Sequence, residues 1–386
     1  MNNLIYLDNS STTFPKPKEI HDFMYNFYQA NGVNPGRSGS ALALETEQII
    51  TNTRKLLSNF FHAKNYNRLV FTYNASDSLN MIINGLVEEE DHVITTELEH
   101  NSVLRPLYHK MLNSNVQIDY IPFDEKGFVI PDDFRKKMRT NTRLVIVNHG
   151  SNVIGTIQPL KEIGAICKES GVPFVIDTSQ TAGIAPIDME AQHIDILAFT
   201  GHKSLLGPTG IGGFYVSEGI EIKPTRYGGT GILSALRTHP EDYPYRHECG
   251  TLNIMGIAGL YAGQKWIEER GLENIYAHEM KLWRMLKQGL SEIDGITLYC
   301  ADSEEMHLPV LSFSLNDVRA GDVGKALDRD YGITTRAGLH CAPLVHERLG
   351  TDKIGGTVRM SVGVFNEEEH IQKAIEAVRE IAADTR

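Results

Sequence analysis

Metal-type cysteine spacing, long apolar runs and basic clusters are all missing from this chain, and each absence removes a class of function. The four cysteines, Cys167, Cys249, Cys300 and Cys341, lie far apart with no C-x-x-C pair. Neither a zinc site nor a disulfide framework is therefore signalled, and the thiols read as free groups of a reducing compartment. No window approaches the roughly eighteen consecutive apolar residues of a membrane span, and the start, MNNLIYLDNSS, has no basic region followed by an apolar run. A net charge of −12 argues against nucleic-acid binding, which depends on clustered Lys and Arg. A G-x-G-x-x-G turn between a first strand and helix is also absent, which removes a dinucleotide-binding reading. The expectation is a soluble, cytoplasmic protein with no metal, membrane or nucleic-acid partner.

What is present is ordinary globular material, with 41% hydrophobic and 22% charged residues in a chain of 386, long enough for two domains. From about Arg68 to Val216, apolar β-rich runs (RLVFTY, HVITTE, QIDYIPFD, RLVIVNHG, PFVIDTSQ, DILAFT, IGGFYVS) alternate with stretches of helical periodicity at Ser78–Val87, Val103–Leu112 and Leu160–Glu169. That alternation predicts an α/β sheet with crossover helices, whose ligands gather beyond the carboxyl ends of the strands. Helical pattern dominates from about Gly256 to Gly295. Shorter strands (ITLYCA, PVLSFSL, GITTRA, TVRMSVG) then interleave with helices around Ala320–Asp330 and Glu367–Ala383, as in a smaller α+β domain.

Chemistry concentrates in AFTGHKSLLGPTGIGG, residues Ala198–Gly213, where Lys203 follows a histidine and precedes a glycine-rich turn. Some twenty-five residues earlier the run PFVIDTSQ ends by delivering Asp177 and Gln180. An amine to carry an aldehyde, an anion to keep a pyridine nitrogen protonated and donors for a phosphate are what pyridoxal phosphate requires. For the phosphate, Asn74-Ala75-Ser76-Asp77 stands ahead of a helical segment, whose free N–H groups and dipole favour an anion. Arg336 and Arg359 have the guanidinium geometry suited to a substrate carboxylate. Cys341 sits between Gly338 and Pro343 in a loop-like stretch, with His340 and Arg336 as local groups able to favour a thiolate.

Taken together, these motifs resemble the class V branch of fold-type I pyridoxal-phosphate enzymes, and within it the cysteine desulfurases and selenocysteine lyases. The resemblance runs from Tyr6-Leu7-Asp8-Asn9 to Arg359-Met360-Ser361 and is densest at Glu99-His100-Asn101-Ser102, Ser151–Thr156, Asp177–Gln180, Thr200–Lys203 and Arg336–Cys341. It implies a large cofactor-binding domain over residues 15–255. Residues 1–14 and 256–386 would form a small domain that includes the N-terminal segment and the cysteine loop. It further implies that Lys203 holds the cofactor and moves the Cα proton, that Asp177 pairs with the pyridinium, and that His100 is catalytic, stacking on the ring and taking part in proton transfer. Gln180 and Asn152 would bond the phenolate oxygen, with Asn152 also near the substrate carboxylate. Thr200, His202, Ala75 and Ser76 would surround the phosphate, together with Thr251 from the neighbouring subunit of a homodimer. Arg359, ahead of Arg336, would hold the substrate carboxylate. The chain departs from the family pattern at Ala75, where consecutive hydroxyl residues are common, and at Leu339, where a second histidine can stand.

The activity this implies is conversion of L-cysteine to L-alanine with a persulfide left on Cys341, for delivery to an acceptor protein. Selenocysteine lyase activity is the nearest alternative. A class V aminotransferase or another lyase with Cys341 incidental is a second, and a catalytically weak sulfur-carrier subunit is a third.

Overall fold

A computed structural model describes residues 4–35, 40–301, 305–316 and 318–384. Its strands are β1 (Ile5–Tyr6), β2 (Leu69–Thr72), β3 (His92–Thr96), β4 (Gln117–Ile121), β5 (Thr142–Asn148), β6 (Phe174–Asp177), β7 (Ile196–Thr200), β8 (Gly212–Val216), β9 (Ile296–Tyr299), β10 (Val310–Leu315), β11 (Ile333–Thr334), β12 (Arg336–Gly338) and β13 (Thr357–Ser361). The α-helices are α1 (Lys18–Asn31), α2 (Ala41–Phe60), α3 (Ala75–Leu86), α4 (Asn101–Ser114), α5 (Pro131–Lys137), α6 (Leu160–Ser170), α7 (Ile254–Arg270), α8 (Leu272–Ser291), α9 (Ala320–Tyr331), α10 (Pro343–Leu349) and α11 (Glu368–Asp384).

Seven strands form the main sheet in the order β2-β8-β7-β6-β5-β3-β4. All neighbours are parallel except β8, which runs against both β2 and β7. This is the mostly parallel α/β sheet that the alternating pattern predicts. Its central strands read as unbroken apolar runs because helices cover both faces. Along β5, Val145 and Val147 enter one core with Phe174, Ile176, Leu197 and Phe199. The intervening Leu144 and Ile146 enter the opposite core with Leu79, Ile82, Val103 and Leu107 of α3 and α4, as the two-residue period of a strand requires.

A four-stranded antiparallel sheet, β12-β13-β10-β9, carries a separate core with α8, α9 and α11. Trp283 lies at its centre and donates its indole N–H to the Val310 carbonyl at 3.0 Å. Packing passes from the main core to this one within α8, since Ile275 belongs to the first and Met280 and Trp283 to the second. The N-terminal segment joins the second body by the parallel pairing of β1 with β11 and the bridge between Asp8 and Ser361. No helix of the described residues is long and apolar enough to cross a membrane.

One buried ion pair fixes the long connection that ends at α7. Glu248 accepts from Arg54 Nη2 at 2.6 Å and from the Phe71 N–H at 2.7 Å, and both charged side chains are buried. Removing one partner leaves the other charge buried and unpaired, a cost of about 3–5 kcal/mol. Glu248→Ala should accordingly lose about that much unfolding free energy in a urea titration, and a loss below about 1 kcal/mol would show the pair to be solvated.

Candidate functional site

Beyond the carboxyl ends of the main sheet lies a cleft of about 360 Å³. Asn148, Asp177 and Thr200 are the last residues of β5, β6 and β7, and all three line it. The parallel arrangement delivers them there, because side-by-side strands running one way end at one edge of the sheet. Asp177 is 3% exposed, and its Oδ1 accepts from the Ser179 N–H at 2.9 Å and the Ser179 hydroxyl at 2.5 Å. Those bonds orient the carboxylate and engage Oδ1 alone among the described residues.

Lys203 follows β7 and faces the same space. Burial lowers its amine from the ordinary lysine value to about 8; Asp177 pulls it back up, while Arg359 and Arg336 push it down. His202 falls to about 4 through burial and the nearby Lys203 and Lys16. His100 is also lowered, by burial first and Lys203 second. Beneath the cleft, burial raises the Glu99 carboxyl to about 8; its Oε1 accepts from the Thr96 hydroxyl and the Asn148 N–H.

At one end of the cleft stands the N-terminus of α3. Asn74 caps it through its side chain, which accepts from the Asp77 N–H at 3.0 Å. Ala75 and Ser76, the first helical residues, have no intrahelical acceptor for their N–H groups, and both line the cleft. Thr200 Oγ1, His202 Nδ1 and Asn152 Oδ1 are buried polar atoms without a partner among the described residues.

The opposite wall carries the arginines. Arg359, on β13, is 1% exposed; its Nη1 donates to the Asn152 carbonyl at 3.0 Å and its Nη2 to Asp8 at 2.7 Å and Ser11 at 2.9 Å. Arg336 donates through Nη1 to Ser11 Oγ at 3.0 Å and through Nη2 to Cys341 Sγ at 3.1 Å. His340, the other expected support for a thiolate, turns away. It is buried against Thr357 Oγ1 at 2.9 Å and held well below the ordinary histidine value, chiefly by burial.

His340 and Cys341 both adopt left-handed backbone angles, with φ of 48° and 59°. Such angles are costly for residues with a Cβ and persist only where surroundings over-determine them. Here Asn152 Nδ2 holds the His340 carbonyl at 2.6 Å, and the Asn101 N–H holds the Cys341 carbonyl at 2.7 Å. The thiol lines a recess that shares His100, Ser76 and Ser102 with the cleft.

Among the residues singled out from the sequence, Lys203, Asp177, Gln180, His100, Asn152, Ala75, Ser76, Thr200, His202, Arg336 and Arg359 all line the cleft. Cys341 adjoins it. Thr251 is exposed and lines neither space. Sequence reasoning did not single out Asp8, Ser11, Ser102 or Lys16. The first three lie in or beside the Tyr6–Asn9 and Glu99–Ser102 motifs, which was the available signal. Lys16 donates to the Thr13 and His202 carbonyls at 3.1 and 2.9 Å, tying the N-terminal segment to the turn before Lys203.

The model of the aminotransferase class-V family matches residues 5–374. The chain belongs to that family. Among class-V relatives, a probable cysteine desulfurase of Methanothermobacter thermautotrophicus is 35% identical, over 98% of this chain and 94% of its own. The cysteine desulfurase of Haloferax volcanii is 30% identical, over 98% and 90%. A solved apo structure of the cysteine desulfurase from Thermococcus onnurineus NA1 superposes with a TM-score of 0.91 at 33% identity, covering 99% of this chain and 95% of that one. The class-V fold is thus present from β1 through α11.

The lowered lysine gives a direct test. With its amine near 8, the neutral fraction of Lys203 rises about fivefold from pH 7 to 8 and only about twofold above that. Reductive methylation of the cofactor-free protein by formaldehyde and cyanoborohydride, followed by mass spectrometry of the Lys203 peptide, should trace that curve. A rate still rising about tenfold per pH unit at pH 9 would mean an ordinary solvated lysine.

Proposed function

We propose that the chain is a pyridoxal-phosphate-dependent cysteine desulfurase, converting L-cysteine to L-alanine and retaining the sulfur as a persulfide on Cys341. The observation that carries this reading is the Cys341 thiol, held on a strained loop 3.1 Å from Arg336 Nη2, beside a cleft containing a depressed lysine and a buried aspartate. An aminotransferase has no use for a nucleophilic thiol in that position. The cysteine desulfurases among the relatives support the same reading.

The cleft fits the cofactor. Its unpartnered buried atoms, Thr200 Oγ1, His202 Nδ1 and Asn152 Oδ1, need hydrogen-bond partners, and the first N–H groups of α3 suit a phosphate. Lys203 would hold the aldehyde carbon, Asp177 the ring nitrogen, Gln180 and Asn152 the phenolate oxygen, and His100 the face of the ring. When bound, the group stabilises negative charge at the substrate Cα.

The protein's own groups then have distinct tasks. Lys203 removes the Cα proton; its low basicity lets it be neutral near pH 8. Arg359 and Arg336 orient the substrate carboxylate, with Arg359 the principal anchor through its buried, unpartnered Nε. The Cys341 thiolate attacks the substrate sulfur, forming the S–S bond as the Cβ–S bond breaks. Protonation at Cβ and return of the proton from Lys203 to Cα give alanine. Arg336 supports the thiolate before attack. Thr251, exposed and remote from its own cleft, would complete the phosphate site of a second subunit in a homodimer.

Alanine and sulfide formation from L-cysteine with excess reductant tests the reading. Cys341→Ala should keep the visible absorption band of the bound cofactor and lose sulfide release. Arg359→Lys, which gives up the Nε donor and the planar fork that holds it in place, should raise KM for cysteine by about tenfold or more, the worth of a lost charge-assisted hydrogen bond. Full turnover in Cys341→Ala would return the protein to the aminotransferase or lyase reading. Wild-type turnover with selenocysteine alone would move the substrate class to selenium.

A further inference from the structure

Glu279, on α8, is 5% exposed and has no hydrogen-bond or ion-pair partner among the described residues. It faces a cavity of about 20 Å³, enough for one water-sized particle. The cavity lies where the two cores meet, between α8, the N-terminal segment and the turn carrying the active-site lysine. Its polar lining is made of oxygen-bearing groups, Asn9, Ser10, Thr13, Gln180 and Ser204 besides Glu279, and no Lys, Arg or His lines it.

An ionised carboxylate in such a place is costly unless a cation accompanies it. Burial alone raises this carboxyl to about 8, with no charged side chain contributing. Among the described residues no counter-ion stands beside it, and the remaining choices to balance its charge are a proton or a cation from solution.

We propose that the cavity is a monovalent-cation site, taking sodium or potassium with Glu279 as its one charged ligand and neutral oxygens completing the shell. Hard oxygen donors suit such ions, and one carboxylate balances one positive charge. A divalent ion would want further carboxylates, and among the described residues no group of three His, Cys, Asp or Glu could hold one. The ion would brace two groups of the adjoining cleft from behind. Ser204 follows Lys203 in the chain, and Gln180 donates to the Ser10 carbonyl at 3.1 Å. The inference does not rest on the desulfurase reading.

Thermal unfolding of the full chain in potassium, sodium and tetramethylammonium chloride at equal ionic strength tests it, since an ion bound only to the folded state raises Tm. The wild type should melt about 2 °C or more higher in the potassium or sodium salt than in the bulky-cation salt, and Glu279→Gln should melt alike in all three. Equal wild-type melting in every salt, or a cation shift that survives in Glu279→Gln, overturns the proposal in favour of a protonated carboxyl and a water. If Glu279→Gln does not fold, wild-type crystals soaked in thallium(I) acetate decide. An anomalous peak in the cavity supports the site, and its absence overturns it.

Discussion

A guanidinium that has left water needs partners for its donors, and both Nη atoms of Arg359 find them in segments far apart in the chain. Asp8 and Ser11 come from the N-terminal stretch and the Asn152 carbonyl from the loop after β5, while the arginine itself sits on β13. One side chain thereby joins the small sheet, the N-terminal segment and the edge of the main sheet. Asn152 extends the connection, since its side-chain amide holds the His340 carbonyl, and Cys341 is the next residue. The position of the Cys341 thiol thus depends on how a buried charge finds partners. This explains why the left-handed angles at His340 and Cys341 are tolerated, because backbone and side-chain donors clamp the loop on both sides.

The same buried charges set the chemistry of the lysine. Arg336 and Arg359 oppose protonation of Lys203, while Asp177 and Asp8 favour it, and burial tips the result downward. Fixed positive charge beside an amine makes it a weaker base, so the arginines that line the cleft also set the basicity of the lysine. Asp177 limits the effect, and its bonds to Ser179 keep it pointed at the cleft rather than at the lysine alone.

Much of this was legible in the sequence, and the reason is local. Strand ends are marked by where apolar runs stop, so Asn148, Asp177 and Thr200 could be placed at one edge once the sheet was known to be mostly parallel. Lys203 and Cys341 announced themselves by their glycine-rich or loop-like neighbours. The contact of Asp8 with Arg359 could not be read that way, since its two ends are 351 residues apart and neither has a pattern that names the other. The turning of His340 toward Thr357 was equally hidden. A histidine beside a reactive cysteine has the same sequence signature whether it supports the thiolate or packs in a core, and only burial decides between them.

Tertiary contact also settles the state of His100. The Ser102 N–H donates to its Nδ1 at 3.1 Å, and a nitrogen that accepts cannot carry the proton. With the ring lowered by burial and by Lys203, the neutral imidazole must hold its proton on Nε2. Ser102 Oγ in turn bonds both Nδ1 and the Ser76 hydroxyl, so a short chain of hydroxyls links the N-terminus of α3 to the ring. The departure from paired hydroxyls at Ala75 falls on a buried position, whereas Ser76, which the chain retains, is the residue this link requires. The chain thus lacks a hydroxyl at position 75 and keeps at Ser76 the contact that supports the tautomer of the histidine.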